Sequence, residues 1–329
     1  MILILSDSNI QPSIDQVIDW LIFYDVKFVR LNGLNDDELT LFEGDLNQIK
    51  IETKFNNLDF SEIKSIWSFR WSHPLNDGTI ILDRDIKNKI DVNQLNKHLV
   101  FTKNIFHSFL FYKLANRRWL GNREVTSLNK LATLSKAEEL GLIIPYTYFS
   151  NKINSIKNVS QLKDNFITKA SWEMLQLIYN DNTYSTFTQK INDELILNEE
   201  TIGISLIQKK IDKAYEIRSF YIDNEFYSMA IFSQNNDKTK IDFRQYDNAF
   251  PNRNVPYNLP ISITKKIKKL ISSLKINTCS IDLIRDLDGK YIFLEINPAG
   301  QFGMTSKPCN YNLEHKIANF LINNDRKTT

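Results

Sequence analysis

Two short apolar runs joined by an Asp-Gly step constrain this chain more than any other feature. Residues 279–285 and 290–296 read as strands, with Asp286-Leu287-Asp288-Gly289 between them. Asp-Gly is a strong signal for a two-residue type I′ hairpin turn. Placing Asp288-Gly289 in that turn pairs Leu287 with Lys290. Carried inward, the same register sets Asp282 opposite Glu295 and Ser280 opposite Asn297. Side chains alternate along a strand, so Asp282, Glu295 and Asn297 share one face. Like charges directly opposite each other destabilise a hairpin. Either the face is simply solvated, or the register slips by one, or something offsets the repulsion. A hard divalent cation would do so, because Asp, Glu and an Asn carbonyl are all oxygen ligands. Pro298 ends the second strand directly after Asn297, and α/β proteins often place sites at strand ends.

The rest of the chain supplies an α/β framework. Residues 2–5 form an apolar strand ending at Ser6-Asp7-Ser8-Asn9, and Ile14, Val17, Ile18, Leu21 and Ile22 recur at helical spacing. Residues 26–31 alternate as a strand, completing a βαβ opening. Residues 63–69 read as a later strand, and 92–120 as an aromatic-rich helical stretch. Asn129 opens another helix, which Gly141 closes. Residues 146–200 read as short strands and polar turns, clearest at 166–169. Three strands follow at 204–211, 216–222 and 225–232, the last two joined by Asp223-Asn224. Residues 233–260, with three prolines, read as a long loop. The helix spaced by Ile263, Ile267, Leu270, Ile271 and Leu274 carries Lys265, Lys266, Lys268 and Lys269 as its solvated face.

Bulk properties narrow the function classes. The chain has 329 residues and a net charge of +2, which gives no case for nucleic acid as a partner. No apolar run approaches the length of a membrane span, so a membrane partner is not expected. The start turns polar after five residues, and reads as a strand rather than a signal peptide. Cys279 and Cys309 are too few for a disulfide framework; they suit a reducing compartment and an expected cytoplasmic location.

Familiar catalytic patterns are missing. The sequence has no G-x-x-x-x-G-K-[ST] loop, no G-x-G-x-x-G and no H-E-x-x-H, and its four histidines are scattered. An all-oxygen magnesium site usually serves phosphate chemistry, which also needs cations. Lys130, Lys169, Arg218 and Arg244 are candidates, although each alone also reads as a surface charge. Arg218 stands out, because an arginine in the middle of a strand needs a partner or a ligand.

The order of these segments resembles the ATP-grasp superfamily. Asn129-Lys130, Thr168-Lys169, Gln208-Lys209-Lys210-Ile211, Glu216-Ile217-Arg218, Asp282 and Glu295-Ile296-Asn297-Pro298 follow one another in the order of that superfamily, and the resemblance runs from about residue 60 to the C-terminus. Within it the chain is similar to the peptide maturases of GRASP-with-spasm (graspetide) systems, relatives of the microviridin-type ligases. That similarity rests on Asp242-Phe243-Arg244-Gln245-Tyr246-Asp247, on residues 252–260, and on the stretch from Phe293 through Glu295-Ile296-Asn297-Pro298-Ala299-Gly300 to Glu314. Two departures stand out. Phe69-Arg70-Trp71-Ser72 has one Arg fewer than the relatives' Trp-Tyr-Arg-Arg stretch. The segment expected to cover the phosphates contains no glycine between Ala170 and Thr201.

The resemblance implies an ATP-grasp fold: an N-terminal α/β domain (1–118), a central subdomain (119–207) and a C-terminal antiparallel-sheet subdomain (208–329). It implies ATP and Mg2+ as cofactors. Lys130 and Lys169 would hold the phosphates. The segment Gln208, Lys209, Lys210, Ile211 would meet adenine through its backbone. Asp282, Glu295 and Asn297 would hold Mg2+, and Arg218 and Arg244 would stabilise charge on the transferred phosphoryl group. The implied reaction phosphorylates an Asp or Glu side chain of a ribosomal precursor peptide and closes an ester or amide ring. Implied partners are that peptide with its leader, a radical enzyme of the same system, and a second copy in a homodimer. Two other readings are a ligase adding amino acids to a small molecule or protein C-terminus, and an inert nucleotide-dependent peptide-binding module.

Overall fold

The computed structural model describes all residues except 7–11, 33–38, 55–56, 70, 72–90, 122–127, 162–165, 172–174, 181, 192–200, 246 and 327–329. Most of the expected turn after Ser6, and Arg70, therefore lie outside the described residues. The chain forms two compact units, Met1–Thr126 with Asn312–Thr329, and Ser127–Tyr311.

The first unit opens as β1 (Ile2–Ser6), α1 (Pro12–Phe23) and β2 (Phe28–Asn32), with β1 and β2 parallel, as the βαβ spacing predicts. A small antiparallel sheet follows, made of β3 (Leu39–Gly44), β4 (Ile49–Thr53) and β5 (Asn57–Leu58). Next come β6 (Ser65–Ser68), the helix α2 (Val92–Lys113) and β7 (Arg118–Leu120). The main sheet has the order β2-β1-β6-β7, all parallel. Leu3, Leu5, Ile51, Leu58, Leu110 and Leu114 are buried in one core. The aromatic-rich stretch is thus not helical to its end. Residues 118–120 pair with β6, and three residues are too few for a strand period to register in sequence.

The second unit holds α3 (Lys130–Glu139), β8 (Thr147–Lys152), α4 (Ile153–Gln161), β9 (Phe166–Lys169), β10 (Gln176–Tyr179), β11 (Asn182–Ser185), β12 (Gln189–Lys190) and β13 (Thr201–Lys209). It continues through β14 (Lys213–Ile222), β15 (Glu225–Phe232), β16 (Arg253–Tyr257), α5 (Ile261–Ser273), β17 (Thr278–Asp286), β18 (Tyr291–Asn297) and α6 (Gly303–Cys309). Two antiparallel sheets dominate, ordered β12-β9-β13-β8 and β16-β15-β14-β17-β18. The last described helix, α7 (Leu313–Arg326), belongs to the first unit and packs with its α1, β1, β6 and β7. Among the described residues no helix is long and apolar enough to cross a membrane.

Two local expectations change. The stretch 233–260 is not wholly loop, because Arg253–Tyr257 adds the edge strand β16, where Pro256 needs no outward hydrogen bond. Region 146–200 also contains the helix α4, whose polar sequence buries Ile153 and Ile156. By contrast, Asp223 and Asn224 have φ of 50° and 64°, both in the left-handed region a type I′ turn requires.

The β17–β18 hairpin reaches the expected pairs by a different route. Asp282 faces Glu295 and Ser280 faces Asn297, but nearer the turn Leu283 faces Phe293 and Arg285 faces Tyr291. Leu287 does not pair with Lys290. Asp286 N donates to Lys290 O at 3.0 Å, leaving Leu287-Asp288-Gly289 as a three-residue loop. Gly289 takes φ of 81°, the left-handed position such loops require. The loop therefore shifts the register by one, and a bulge at Leu294 shifts it back.

Candidate active site

The site is built on the five-stranded sheet. Across β14, β17 and β18, Arg218 faces Asp282 and Asp282 faces Glu295; in the next row Phe220, Ser280 and Asn297 align. Arg218 Nη1 donates to both oxygens of Asp282, at 3.0 and 2.9 Å. Arg218 Nε is buried and, among the described residues, has no hydrogen-bond partner. The chain leaving Asn297 is pressed against β17: a Cβ on Gly300 would lie 3.0 Å from Ser280 N and 3.1 Å from Cys279 C. Only glycine fits this approach without moving backbone.

Two lysines reach the same carboxylates from other elements. Asn129 caps α3 by accepting from Ala132 N at 3.0 Å, which puts Lys130 in the first helical position. Lys130 Nζ lies 3.1 Å from Glu295 Oε2 and donates to Ala170 O at 3.2 Å. Lys169 closes β9 beside Glu295. Burial is the main cause that pulls its ammonium down to about 8, against the pull of Glu295, with Lys130 and Arg244 adding to the shift.

The facing carboxylates behave differently. Burial raises Glu295, but Lys130, Lys169 and Arg244 outweigh it and hold the carboxyl well below its ordinary range. Burial raises Asp282 above its ordinary value, with Glu295 adding to the rise and Arg218 only partly opposing it. Thus the repulsion expected from sequence is already offset by arginine and lysine. Among the described residues no three His, Cys, Asp or Glu side chains converge. A cation here would rest on two carboxylates and on neutral oxygens such as that of Asn297, an all-oxygen set that suits a hard divalent ion.

An open cavity of about 100 Å3 lies between the two sheets, walled in part by Lys169, Gln208, Ile211, Arg218, Asp282 and Glu295. Lys209 and Arg244 also line it, whereas Lys210 and Asn297 do not. Gln208 is buried and donates to Thr147 Oγ1 at 2.9 Å, and Lys209 N donates to Tyr146 O at 2.9 Å, which fixes the strand end beside the cavity. Lys210 pairs with Asp212 at 2.8 Å.

Sequence reading gave no role to three cavity residues. Asp242 accepts from Arg244 Nε at 2.8 Å, Arg244 Nη2 at 2.6 Å, Arg244 N at 3.1 Å and Thr188 N at 3.2 Å. It therefore aims the Arg244 guanidinium and raises the arginine beyond its ordinary range. Lys213 and Glu216 form a buried ion pair, and Lys213 also donates to Ile241 O at 3.2 Å. Burial pulls Lys213 down to about 8. The available signal was two charges set in a strand that is otherwise mostly apolar and aromatic.

The fold is the ATP-grasp fold. Over 98 % of its length the chain superposes on macrocyclase MdnC from Microcystis aeruginosa MRC, solved with precursor peptide MdnA, at 24 % identity, 99 % coverage of that chain and a TM-score of 0.78. A RiPP-associated ATP-grasp ligase from Chryseobacterium gregarium, solved with ADP and a leader and core peptide, matches at 21 % identity, with 100 % and 99 % coverage and a TM-score of 0.78. The ATP-grasp ligase PsnB, solved with a phosphomimetic precursor variant, Mg and ADP, matches at 14 % identity, with 99 % and 98 % coverage and a TM-score of 0.73. No protein-family profile and no curated protein matches the sequence.

Proposed function

We propose that this chain is an ATP-dependent ligase that activates Asp or Glu side chains of a ribosomal precursor peptide and closes side-chain ester or amide rings. One observation carries the reading: the row Arg218–Asp282–Glu295, met by Lys130 and Lys169, in a fold shared end to end with peptide macrocyclases. Lys130 and Lys169 hold phosphates. The backbone of Gln208, Lys209, Lys210 and Ile211 meets the base. Asp282, Glu295 and Asn297 hold Mg2+. When bound, the magnesium nucleotide supplies the phosphoryl group that turns a carboxylate, a poor electrophile, into an activated acyl group. Arg218 and Arg244 face the charge that develops on that group, an electrostatic role that needs fixed donors. Asp242 supplies the fixing for Arg244. A substrate hydroxyl or amine then attacks the activated carbonyl and phosphate leaves.

The resemblance to graspetide maturases further suggests a leader-bearing peptide, a radical enzyme of the same system, a homodimer and a cytoplasmic setting. Two buried free cysteines agree with a reducing compartment. The test is co-expression with a short precursor peptide encoded nearby, read by mass spectrometry and ADP release. Each ring should remove one water from the peptide. Asp282→Asn and Glu295→Gln should keep the fold and abolish turnover. Near-normal ligation by either variant would overturn the metal assignment. Nucleotide binding without turnover in the wild type would point to the inert module.

A further inference from the structure

Each carboxylate of the proposed cation site already has a positive partner, and each partner is a group assigned above to phosphate or phosphoryl. Arg218 spans Asp282, and Lys130 pairs with Glu295. These side chains are 7 %, 14 %, 16 % and 20 % exposed in that order, so water and salt screen them weakly. Resting on the nucleotide reading, we propose that Arg218 and Lys130 are placeholders for the metal, and that cation and nucleotide enter together by exchange of partners.

The argument is electrostatic. A divalent ion arriving alone must take its carboxylates from seated cations, which stay beside it and repel it. A nucleotide arriving alone must take those cations from carboxylates, which then face its phosphates. Arriving together, the two ligands exchange both pairs at once, and no buried charge is left without a partner. The side chains are poised for this. Lys130 keeps a second anchor on Ala170 O when it leaves Glu295. Arg218 offers a buried Nε that has no acceptor among the described residues. Neighbouring pairs stand outside the exchange: Asp242 fixes Arg244 through side chain and backbone, and Lys213 is held by Glu216 and Ile241 O.

Isothermal titration calorimetry on the intact chain tests this without turnover. Mg2+ alone, ADP alone, and each in the presence of the other are titrated, with Mg2+–ADP association in solution subtracted. Each ligand should tighten the other by at least about tenfold, within the usual range of coupling between sites. Lys130→Met adds a sign test. Freeing Glu295 should strengthen Mg2+ binding in the absence of nucleotide while weakening ADP binding. A merely structural role for Lys130 would weaken both. Mutual indifference of Mg2+ and ADP in the wild type would overturn the exchange and leave the nucleotide reading standing. Failure of ADP to bind even with Mg2+ would remove that reading, and the exchange with it.

Discussion

The β14–β15 and β17–β18 hairpins belong to one sheet, yet their turns relate to their strands in opposite ways. In β14–β15 a two-residue Asp223-Asn224 turn sets a register that runs unbroken from Ile222–Glu225 to Glu216–Ile231. In β17–β18 a three-residue loop sets one register, and the bulge at Leu294 replaces it with another before the carboxylates are reached. The first hairpin is governed by its turn. The second is governed by where its charges must stand, and the bulge separates the two demands. Bulges commonly re-aim side chains beside functional sites, and here one turns Glu295 toward Asp282.

Removing the bulge is the strongest way to break this contrast. Deleting Leu294 should extend the turn's register through the strand, which keeps Asp282 opposite Glu295 but removes the bend and extra twist by which the bulge aims Glu295. Ligation should be lost while circular dichroism still reports a folded sheet; retained ligation would mean that the bulge does not position Glu295. Arg218→Ala tests the pair across the next strand. Loss of one fixed electrostatic donor should raise the barrier by about 3–4 kcal/mol, and an effect of tenfold or less in kcat/KM would count against its role.

A smaller effect concerns the charge that faces β18 from β9. Burial lowers Lys169 to about 8 in the fold, against about 10.4 for a free lysine. The unfolded chain therefore binds the extra proton between these values, and this group makes stability rise with pH there. Nucleotide affinity should move the other way, falling by up to about tenfold per pH unit above 8 as the ammonium is lost. Lys169→Arg should abolish that fall, which ADP titrations at pH 7 to 9 will show. The smallest effects separate the turns themselves. Gly289→Ala places a Cβ in the left-handed region and should cost about 1–2 kcal/mol in denaturant unfolding with little change in kcat; Asn224→Ala, whose Cβ is already there, removes only the acceptor of the Tyr221 hydroxyl and should cost less, about 0.5–1 kcal/mol.

What the sequence revealed follows the same division. The Asp223-Asn224 turn was legible because two residues settle a type I′ geometry. The facing of Asp282 and Glu295 was also expected, but through a register that does not hold at the turn; the unforeseen loop and the unforeseen bulge compensate. No local signal distinguishes Leu294 from an ordinary strand residue, since a bulge answers to what the neighbouring strand presents. Arg218 was marked by its place in mid-strand, and Asp282 meets the partner it required. Lys213 and Glu216, three residues apart in β14, and Asp242, two before Arg244, were given no role because nearness in sequence does not show that a pair is buried in a cavity wall, and their further contacts, Ile241 O and Thr188 N, come from distant segments. The strand β16 escaped because Pro256 argues against a strand everywhere except at an edge.

The compensation between Leu294 and the Leu287-Asp288-Gly289 loop has a consequence for how such a segment can diverge. An insertion or deletion inside either strand between Asp282 and Glu295 throws the carboxylates out of step, unless it removes Leu294, whose loss leaves the ladder regular and the two still facing. Descendants of this hairpin should therefore vary in length at the Leu287-Asp288-Gly289 loop and at Leu294, and hold their length elsewhere. A one-residue gap in an alignment at any other strand position then points to a second, balancing gap across the turn.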